Sequence, residues 1–176
     1  LSEIFSTIES NNMEIILLEK VPKIAVYSPP NKQHWDDAVT LALTYADIKY
    51  DVIFDDEVIN NKINDYDWLH LHHEDFTGQY GKFYRSYRNK IWYKKMESDF
   101  NQTARKHGFD SVHNLKKFIA LKIKQYVLDG GFLFAMCSGT DSFDIALAAH
   151  SVDIVDMVFD GTPVDPSYKS KMDFLN

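Results

Sequence analysis

Short apolar runs alternate with segments of helical periodicity along most of the chain. The apolar runs predict strands at residues 23–27, 50–54, 67–73 and 132–136, with a fifth at 152–159. Apolar residues at three- and four-residue spacing predict helices at 34–48, 92–107 and 112–128, and a short helix is expected at 2–10. Because strands that alternate with helices are typical of a parallel sheet with crossover helices, we expect an α/β domain with a mostly parallel sheet.

The predicted elements make one domain over residues 23–176, with a helical insertion at about 76–111 after the third strand. Residues 1–22 are expected to be the tail of an upstream segment, because the chain begins at Leu1 without a methionine. We therefore expect upstream and downstream parts of the same protein to be partners of this domain. A length of 176 residues with 45% apolar content is enough for one sizeable core.

The stretch from Gly130 to Ala149 combines a loop, an apolar strand, a tight turn and the start of a helix. The turn carries Cys137, the one cysteine of the chain. A strand-to-helix elbow places its central residue at the positive end of a helix dipole, where a thiolate is stabilised. Such elbows need small residues two positions away on each side, and Ala135 and Gly139 hold these positions. Cys137 is therefore either a nucleophile or a small buried hydrophobic residue.

A nucleophilic thiol needs a neighbouring base and N–H donors that face the developing oxyanion. The Ser138 amide at the elbow is one predicted donor, and the loop after the third strand supplies the other at Gly78. We expect His72, Asp75 and Thr140 to contact the substrate.

Histidines and acids cluster at the end of the third strand, over residues 70–75. The carboxyl ends of parallel strands share one edge of a sheet, so this cluster should face Cys137. One interpretation makes His73 and Glu74 the acid–base groups, with no metal. A second makes His72, His73 and Glu74 the ligands of a metal ion, and a third makes the cluster a hydrogen-bonded strand end without chemistry.

The net charge of −7 hides an uneven distribution. Residues 82–124 hold twelve Lys/Arg and three Asp/Glu, a net +9, so the remainder carries −16. Basic residues interleaved with aromatics are typical of single-stranded nucleic-acid binding, but also of a solvated helix pair packed on a sheet. Because the acidic remainder repels phosphate, nucleic acid is not the expected partner, and the basic face is interpreted as a docking or anion-facing patch.

Other classes of protein lack support in the sequence. No stretch of 18 or more apolar residues occurs, so no membrane span is expected. One cysteine permits no internal disulfide and leaves the compartment open between cytoplasm and export. No P-loop, GxGxxG or CxxC motif is present, so no cofactor is predicted.

The elbow and three further stretches resemble the class I glutamine amidotransferase-like superfamily, which includes trehalose-utilisation-type proteins. The superfamily's G-x-C-x-G elbow is matched here as Ala135-Met-Cys137-Ser-Gly139. Bacterial proteins labelled "asparagine synthetase B" are similar to this chain over residues 24–28, 35–45 and 67–81. The resemblance covers most of residues 20–165, and it implies a flavodoxin-like fold of three α/β/α layers in which Cys137 is the nucleophile.

The sequence departs from that superfamily at two places. Amidotransferases pair their cysteine with a downstream His-x-Glu motif, whereas the only histidine after Cys137 is His150, on the predicted elbow helix. The glycine-rich oxyanion loop after the third strand is replaced by residues 73–78. Asparagine synthesis is not expected, because the sequence holds no ATP domain.

Two functions fit these residues, besides a metal-assisted hydrolase at His72, His73 and Glu74. The first is a glutamine amidotransferase-like hydrolase in which Cys137 attacks a small amide or ester. The second is a non-catalytic module of the same fold that binds a small-molecule ligand or a partner. A homo-oligomer is compatible with either function.

Overall fold

The computed structural model describes residues 2–11, 13, 21–29 and 37–175. Its helices and strands are, in chain order, α1 (Ser2–Ser10), β1 (Ile24–Tyr27), α2 (Ala38–Tyr45), β2 (Asp51–Ile53), α3 (Asp55–Ile59), β3 (Trp68–Leu71), α4 (Tyr84–Tyr87), α5 (Ile91–Lys106), α6 (Val112–Leu128), β4 (Phe132–Ala135), α7 (Ser138–Ala148), α8 (Met157–Asp160) and α9 (Tyr168–Lys171), with a 3₁₀ turn at Lys62–Asp65. The predicted start of the second helix, at residues 34–36, lies outside the described residues.

Four parallel strands form one sheet in the order β2-β1-β3-β4. The central strand β1 is buried along its whole length, as its apolar sequence predicts. Helices flank the sheet, so the domain has three α/β/α layers, and its strand order is that of the first four strands of a flavodoxin-like fold. The predicted fold class is confirmed, including the helical insertion between β3 and β4.

Successive side chains of β3 point to opposite faces of the sheet, and different helices cover the two faces. Leu69 and Leu71 point to the face where α6 contributes Leu115 and Ile123 to the core. Helices α3, α5 and α7 all pack against α6. The intervening residue His70 points to the opposite face, where its ring reaches the residue that begins α2. The sheet therefore has a thick helical layer on one face and α2 on the other.

Helix α5 of the insertion packs on the domain through its aromatic residues. Tyr93 and Phe100 are buried, and the Tyr93 hydroxyl donates to the Tyr80 carbonyl oxygen at 2.8 Å. The basic residues of α5 are left on its solvent side, as in an ordinary amphipathic helix. Within the described ranges, no helix has both the length and the apolar character to cross a membrane.

The predicted fifth strand at 152–159 is wrong. This stretch forms turns followed by α8. Asp153 Oδ1 accepts the Val155 N–H at 2.9 Å, and Asp156 Oδ1 accepts the Val158 N–H at 3.0 Å. Because aspartate side chains bond readily to amides two residues further on, they take up backbone donors that a strand would offer to its neighbour.

A buried lysine ties α6 to the carboxyl ends of β1 and β2. Lys116 Nζ donates to Asp55 Oδ1 at 2.8 Å and to the Tyr27 hydroxyl oxygen at 3.0 Å. It also lies 4.0 Å from the centre of the Phe54 ring. Burial lowers the pKa of Lys116, and burial together with the Asp55 charge raises the pKa of Tyr27 well above its usual value. The carboxylate and the ring face together stabilise a cation that water cannot reach.

We expect Lys116→Met to lower the free energy of unfolding by about 3–5 kcal/mol, because it leaves the buried Asp55 carboxylate without its counter-charge. Urea denaturation followed by circular dichroism measures this change. The double variant Lys116→Met/Asp55→Asn removes both charges and should recover part of the loss.

The exposed pair of Lys95 and Asp99 on α5, with Nζ and Oδ2 2.8 Å apart, is the matched control. Lys95→Met removes the same kind of ion pair from the surface and should cost less than about 0.5 kcal/mol. Equal losses in Lys95→Met and Lys116→Met would contradict the role given to burial.

Candidate functional site

Cys137 is the single residue that joins Met136, just past β4, to the first residue of α7. Its backbone has φ 55° and ψ −141°, and its side chain is exposed. A positive φ is uncommon for a non-glycine residue, and this ψ lies outside the left-handed helical well, so the conformation is strained. The predicted strand–turn–helix elbow with Cys137 in its turn is therefore confirmed as geometry.

The first turn of α7 rests directly on the segment that follows β3. The Gly139 N–H donates to the His73 carbonyl oxygen at 3.3 Å. A Cβ at Gly139 would lie 2.7 Å from the His72 carbonyl oxygen and 3.1 Å from that of Glu74. Only glycine fits so close to another backbone, which explains the small residue two positions after Cys137.

This contact brings most of the predicted site residues to one corner of the sheet. Cys137, Ser138 and Thr140 are exposed at the start of α7, and residues 72–74 pack beneath them. His150 lies at the far end of α7, about 16 Å of helix away, where its Nδ1 contacts the Leu147 carbonyl oxygen. His150 is thus too distant to be a partner of the thiol.

The two predicted oxyanion donors differ in their surroundings. As the first residue of α7, Ser138 has no carbonyl within the helix to accept its N–H. The Gly78 N–H, by contrast, already donates to the Asp75 carbonyl oxygen at 3.0 Å. Gly78 also packs against Pro29 and aromatic rings of the core, at the β1 side of the sheet. The prediction of Gly78 as an oxyanion donor does not fit this geometry, because its amide is engaged.

Asp75 organises the loop after β3. Its Oδ1 accepts the Gln79 N–H at 2.9 Å and the Thr77 hydroxyl. Phe76 donates its N–H to Ser142 Oγ at 2.6 Å, which links the loop to α7. Both bonds to Asp75 use its Oδ1, so a substrate contact through this residue would use the other carboxylate oxygen, Oδ2.

The buried carboxylate of Asp37 lies at the centre of the site, and the sequence analysis does not identify it. Asp37 begins α2, where its Oδ1 accepts the Val39 N–H at 2.7 Å and the Thr40 N–H at 3.2 Å. The same Oδ1 lies 3.0 Å from His70 Nε2. Its Oδ2 accepts the His73 backbone N–H at 2.7 Å. One side chain therefore holds together the start of α2, the middle of β3 and the segment that carries the predicted acid–base groups.

Asp37 is 1% exposed and yet carries a charge. Burial alone would raise its pKa, but the hydrogen bonds and charge of His70 and the N–H groups of His73 and Val39 outweigh burial and hold the pKa well below its usual range. His70 faces two acceptors, because its other ring nitrogen lies 3.1 Å from the Phe134 carbonyl oxygen. Both acceptors are satisfied when each ring nitrogen of His70 carries a proton.

The two histidines after β3 have incomplete hydrogen bonding. His72 is 5% exposed; its Nδ1 accepts the Glu74 N–H at 3.3 Å, and its Nε2 is buried without a hydrogen-bond partner. Burial lowers the pKa of His72, which favours the neutral ring. His73 Nδ1 lies 3.3 Å from Asp37 Oδ2, in a geometry that makes no hydrogen bond, and its side chain is 32% exposed. The two rings are in contact, with centres 4.5 Å apart.

Two groups of side chains in the described residues could hold a metal ion. Asp37, His72 and His73 each offer one ligand atom, and these atoms lie within 4.8 Å of one another. The carboxylate of this group is Asp37, whereas the metal interpretation of the sequence uses Glu74. The second group consists of His113, Asp153 and Asp160.

A cavity of ≈ 340 Å³ lies along α7 on the side of α6. Ser142, whose Oγ donates to the Ser138 carbonyl oxygen at 2.6 Å, lines it together with Asp75 and Thr77. The other walls include apolar side chains of α7 and of residues 154–159, together with His113, Lys116 and Lys117 of α6. A pocket of this volume with a few polar groups is typical of a small-molecule site.

The comparisons with known proteins identify no family. No protein-family model matches the chain, and no curated protein or solved structure matches it.

We expect Asp37→Ala to lower the free energy of unfolding by about 3 kcal/mol, because it removes a helix cap and leaves buried N–H groups of His70 and His73 without an acceptor. The Asp37 pKa is depressed in the folded protein, so its contribution is present above the unfolded pKa of about 4 and is lost as the pH falls below it. Urea unfolding of wild type and variant from neutral pH down to about pH 2.5 measures both effects.

Asp156→Ala is the control, because Asp156 caps the exposed helix α8 through one bond to the Val158 N–H. It should cost no more than about 1 kcal/mol. A difference between wild type and Asp37→Ala that stays constant down to the lowest pH would show that the Asp37 charge does not contribute to stability.

Proposed function

We propose that this protein is a hydrolase of the glutamine amidotransferase-like type, in which Cys137 attacks the carbonyl carbon of a small amide or ester. The observation that carries the proposal is the strained backbone of Cys137 at the start of α7, with its side chain exposed. Strain of this kind persists only where the surrounding structure enforces it, and it is concentrated at functional sites. A buried structural cysteine would need neither the strain nor the exposure.

The proposed reaction begins when the Cys137 thiolate adds to the carbonyl carbon and pushes its electron pair onto the oxygen. We assign the stabilisation of that oxyanion to the Ser138 N–H, which has no acceptor within α7. The carbon–nitrogen or carbon–oxygen bond of the substrate then breaks, and the leaving group takes a proton. Water finally hydrolyses the thioester, releasing the acid and the free thiol.

His73 and Glu74 are the acid–base groups available to this reaction. Both belong to the segment whose backbone touches Gly139, two residues after Cys137. Asp37 supports His73 in this role, because it fixes the His73 backbone and its Oδ2 lies 3.3 Å from the ring nitrogen Nδ1. A buried carboxylate beside the base is also a feature of many nucleophilic enzymes.

The substrate is expected to be small. The cavity along α7 has a volume of ≈ 340 Å³ and reaches Ser142, one turn into the helix from Ser138. Its apolar walls on α7 and residues 154–159 suit a short carbon chain, and Ser142, His113 and Lys117 offer polar contacts. Cys137 itself is not among its lining residues, so only a substrate that extends past Ser138 would reach the thiol.

A non-catalytic ligand-binding module is the alternative, and one observation favours it. The loop after β3, which would complete an oxyanion hole, has its Phe76 and Gly78 amides engaged by Ser142 and Asp75. The cavity along α7 could then bind a ligand without reaction at Cys137.

Incubation with p-nitrophenyl acetate and separately with L-glutamine tests the proposal, with intact-mass spectrometry to detect a trapped acyl-enzyme. We expect an acyl adduct that hydroxylamine removes and that does not form in Cys137→Ser, which together assign it to a thioester at the one cysteine of the chain. Cys137→Ser should lower ester hydrolysis by at least about 1000-fold, as removal of a nucleophile does in comparable enzymes.

Ser151→Ala, an exposed hydroxyl outside the site, is the matched control and should leave the rate unchanged. If no adduct forms and Cys137→Ser hydrolyses the ester at the wild-type rate, the ligand-binding alternative is preferred.

A further inference from the structure

We propose that Asp37, His72 and His73 form a binding site for a divalent transition-metal ion of the zinc class. The proposal does not depend on catalysis by Cys137, because none of its three ligands is the thiol.

The spacing of the three side chains suits such an ion. Asp37 Oδ2 and His73 Nδ1 are 3.3 Å apart, which is about the separation of two ligands at 2.0–2.1 Å from a tetrahedral metal. One ligand atom from each of the three residues lies within 4.8 Å of the others. Movements on the order of 1 Å would bring the widest of these separations to that of ligands around a tetrahedral metal.

The unsatisfied atoms point to a missing cation. His72 Nε2 and His73 Nδ1 are both buried and lack a hydrogen-bond partner, although buried ring nitrogens in folded proteins are normally bonded. His73 Nδ1 stands beside the Asp37 carboxylate without a bonding geometry. A metal ion between His73 Nδ1 and the Asp37 carboxylate would bind a free electron pair of each group, and the buried ring nitrogen would then have a partner.

The surroundings of Asp37 resemble the outer shell of a metal site. Its Oδ1 is held by the N–H groups of Val39 and Thr40 and by the His70 ring, and its Oδ2 by the His73 N–H. These bonds fix the carboxylate plane and leave one electron pair of Oδ2 for a metal. Outer-shell hydrogen bonds of this kind orient metal ligands and strengthen binding.

The ligand types select the metal. Two imidazoles and one carboxylate suit zinc and its first-row neighbours, whereas magnesium and calcium prefer oxygen ligands alone. Three protein ligands leave a fourth position for water. Solvent can reach the site past His73, whose side chain is 32% exposed.

Two hydrogen-bonding consequences follow from ligation. His72 can bind through Nε2 only if its Nδ1 takes the proton, so the bond from the Glu74 N–H, which is long at 3.3 Å, is lost. A metal on His73 Nδ1 also prevents this ring from acting as a base, because its other nitrogen then carries the proton. Glu74 is then the acid–base group that remains for Cys137.

Isothermal titration of Zn²⁺ into protein without a histidine tag, stripped with EDTA and dialysed, tests the site. We expect one equivalent to bind, and no binding of Mg²⁺ under the same conditions. Bound Co²⁺ should give the visible absorption of a tetrahedral nitrogen–oxygen site. His72→Gln, His73→Gln and Asp37→Asn should each lower the Zn²⁺ affinity by at least about 100-fold, since even outer-shell changes cost roughly 10–100-fold.

His73→Gln carries the most weight, because His73 is half-buried at the surface and its loss should leave the fold intact by circular dichroism. His113→Gln is the matched control, since it removes one ligand of the second group without touching the first. Cys137→Ser should also retain the full affinity.

The proposal is overturned if wild-type protein shows no Zn²⁺ isotherm, or if His113→Gln removes binding while His73→Gln keeps it. Neither result bears on acylation of Cys137, so failure of the metal site and failure of the hydrolase proposal are separate outcomes.

Discussion

The structure of the site depends on one buried carboxylate. Asp37 accepts the first amides of α2, contacts the His70 ring in the middle of the sheet, and accepts the backbone N–H of His73. Because the hydrogen bonds and charge around it outweigh the cost of burial, it stays ionised inside the protein. Without this side chain, α2 would lose its cap and the segment after β3 would lose its anchor. The His73 backbone, against which the first turn of α7 rests, is held by that anchor.

The elbow and the anchored segment are joined by a second constraint, which is steric. Gly139 lies so close to the carbonyl oxygens of His72 and Glu74 that no side chain fits. The turn before it must then take an unusual backbone, and Cys137 holds that strain with its side chain exposed. The segment at 72–74 holds the start of α7 rigidly, and the strained Cys137 exposes its side chain to solvent. A nucleophile needs both a rigid position and access to its substrate. This arrangement is why we favour a hydrolase over a binding module.

Local features of the fold could be predicted from the sequence, whereas long-range polar contacts could not. Apolar runs and helical spacing are local signals, so they correctly predict the four strands of the sheet, α6 and the elbow. The same apolar signal wrongly predicts a strand at 152–159, because Asp153 and Asp156 accept hydrogen bonds from nearby amides and prevent a strand. The role of Asp37 cannot be predicted from the sequence, because its partners His70 and His73 lie 33 and 36 residues away along the chain. An aspartate ahead of an apolar helix signals a cap, but nothing in the sequence shows which distant groups share it.

If the Asp37 charge acts on Cys137 through His73, both residues affect the reactivity of the thiol in the metal-free protein. The rate of Cys137 alkylation by iodoacetamide as a function of pH, in EDTA-treated wild type, Asp37→Asn and His73→Gln, tests this role. We expect both variants to react about 10-fold more slowly than wild type near neutral pH, and at the same rate in alkaline solution, where a thiol ionises without help. Identical rates for all three proteins at every pH would contradict it.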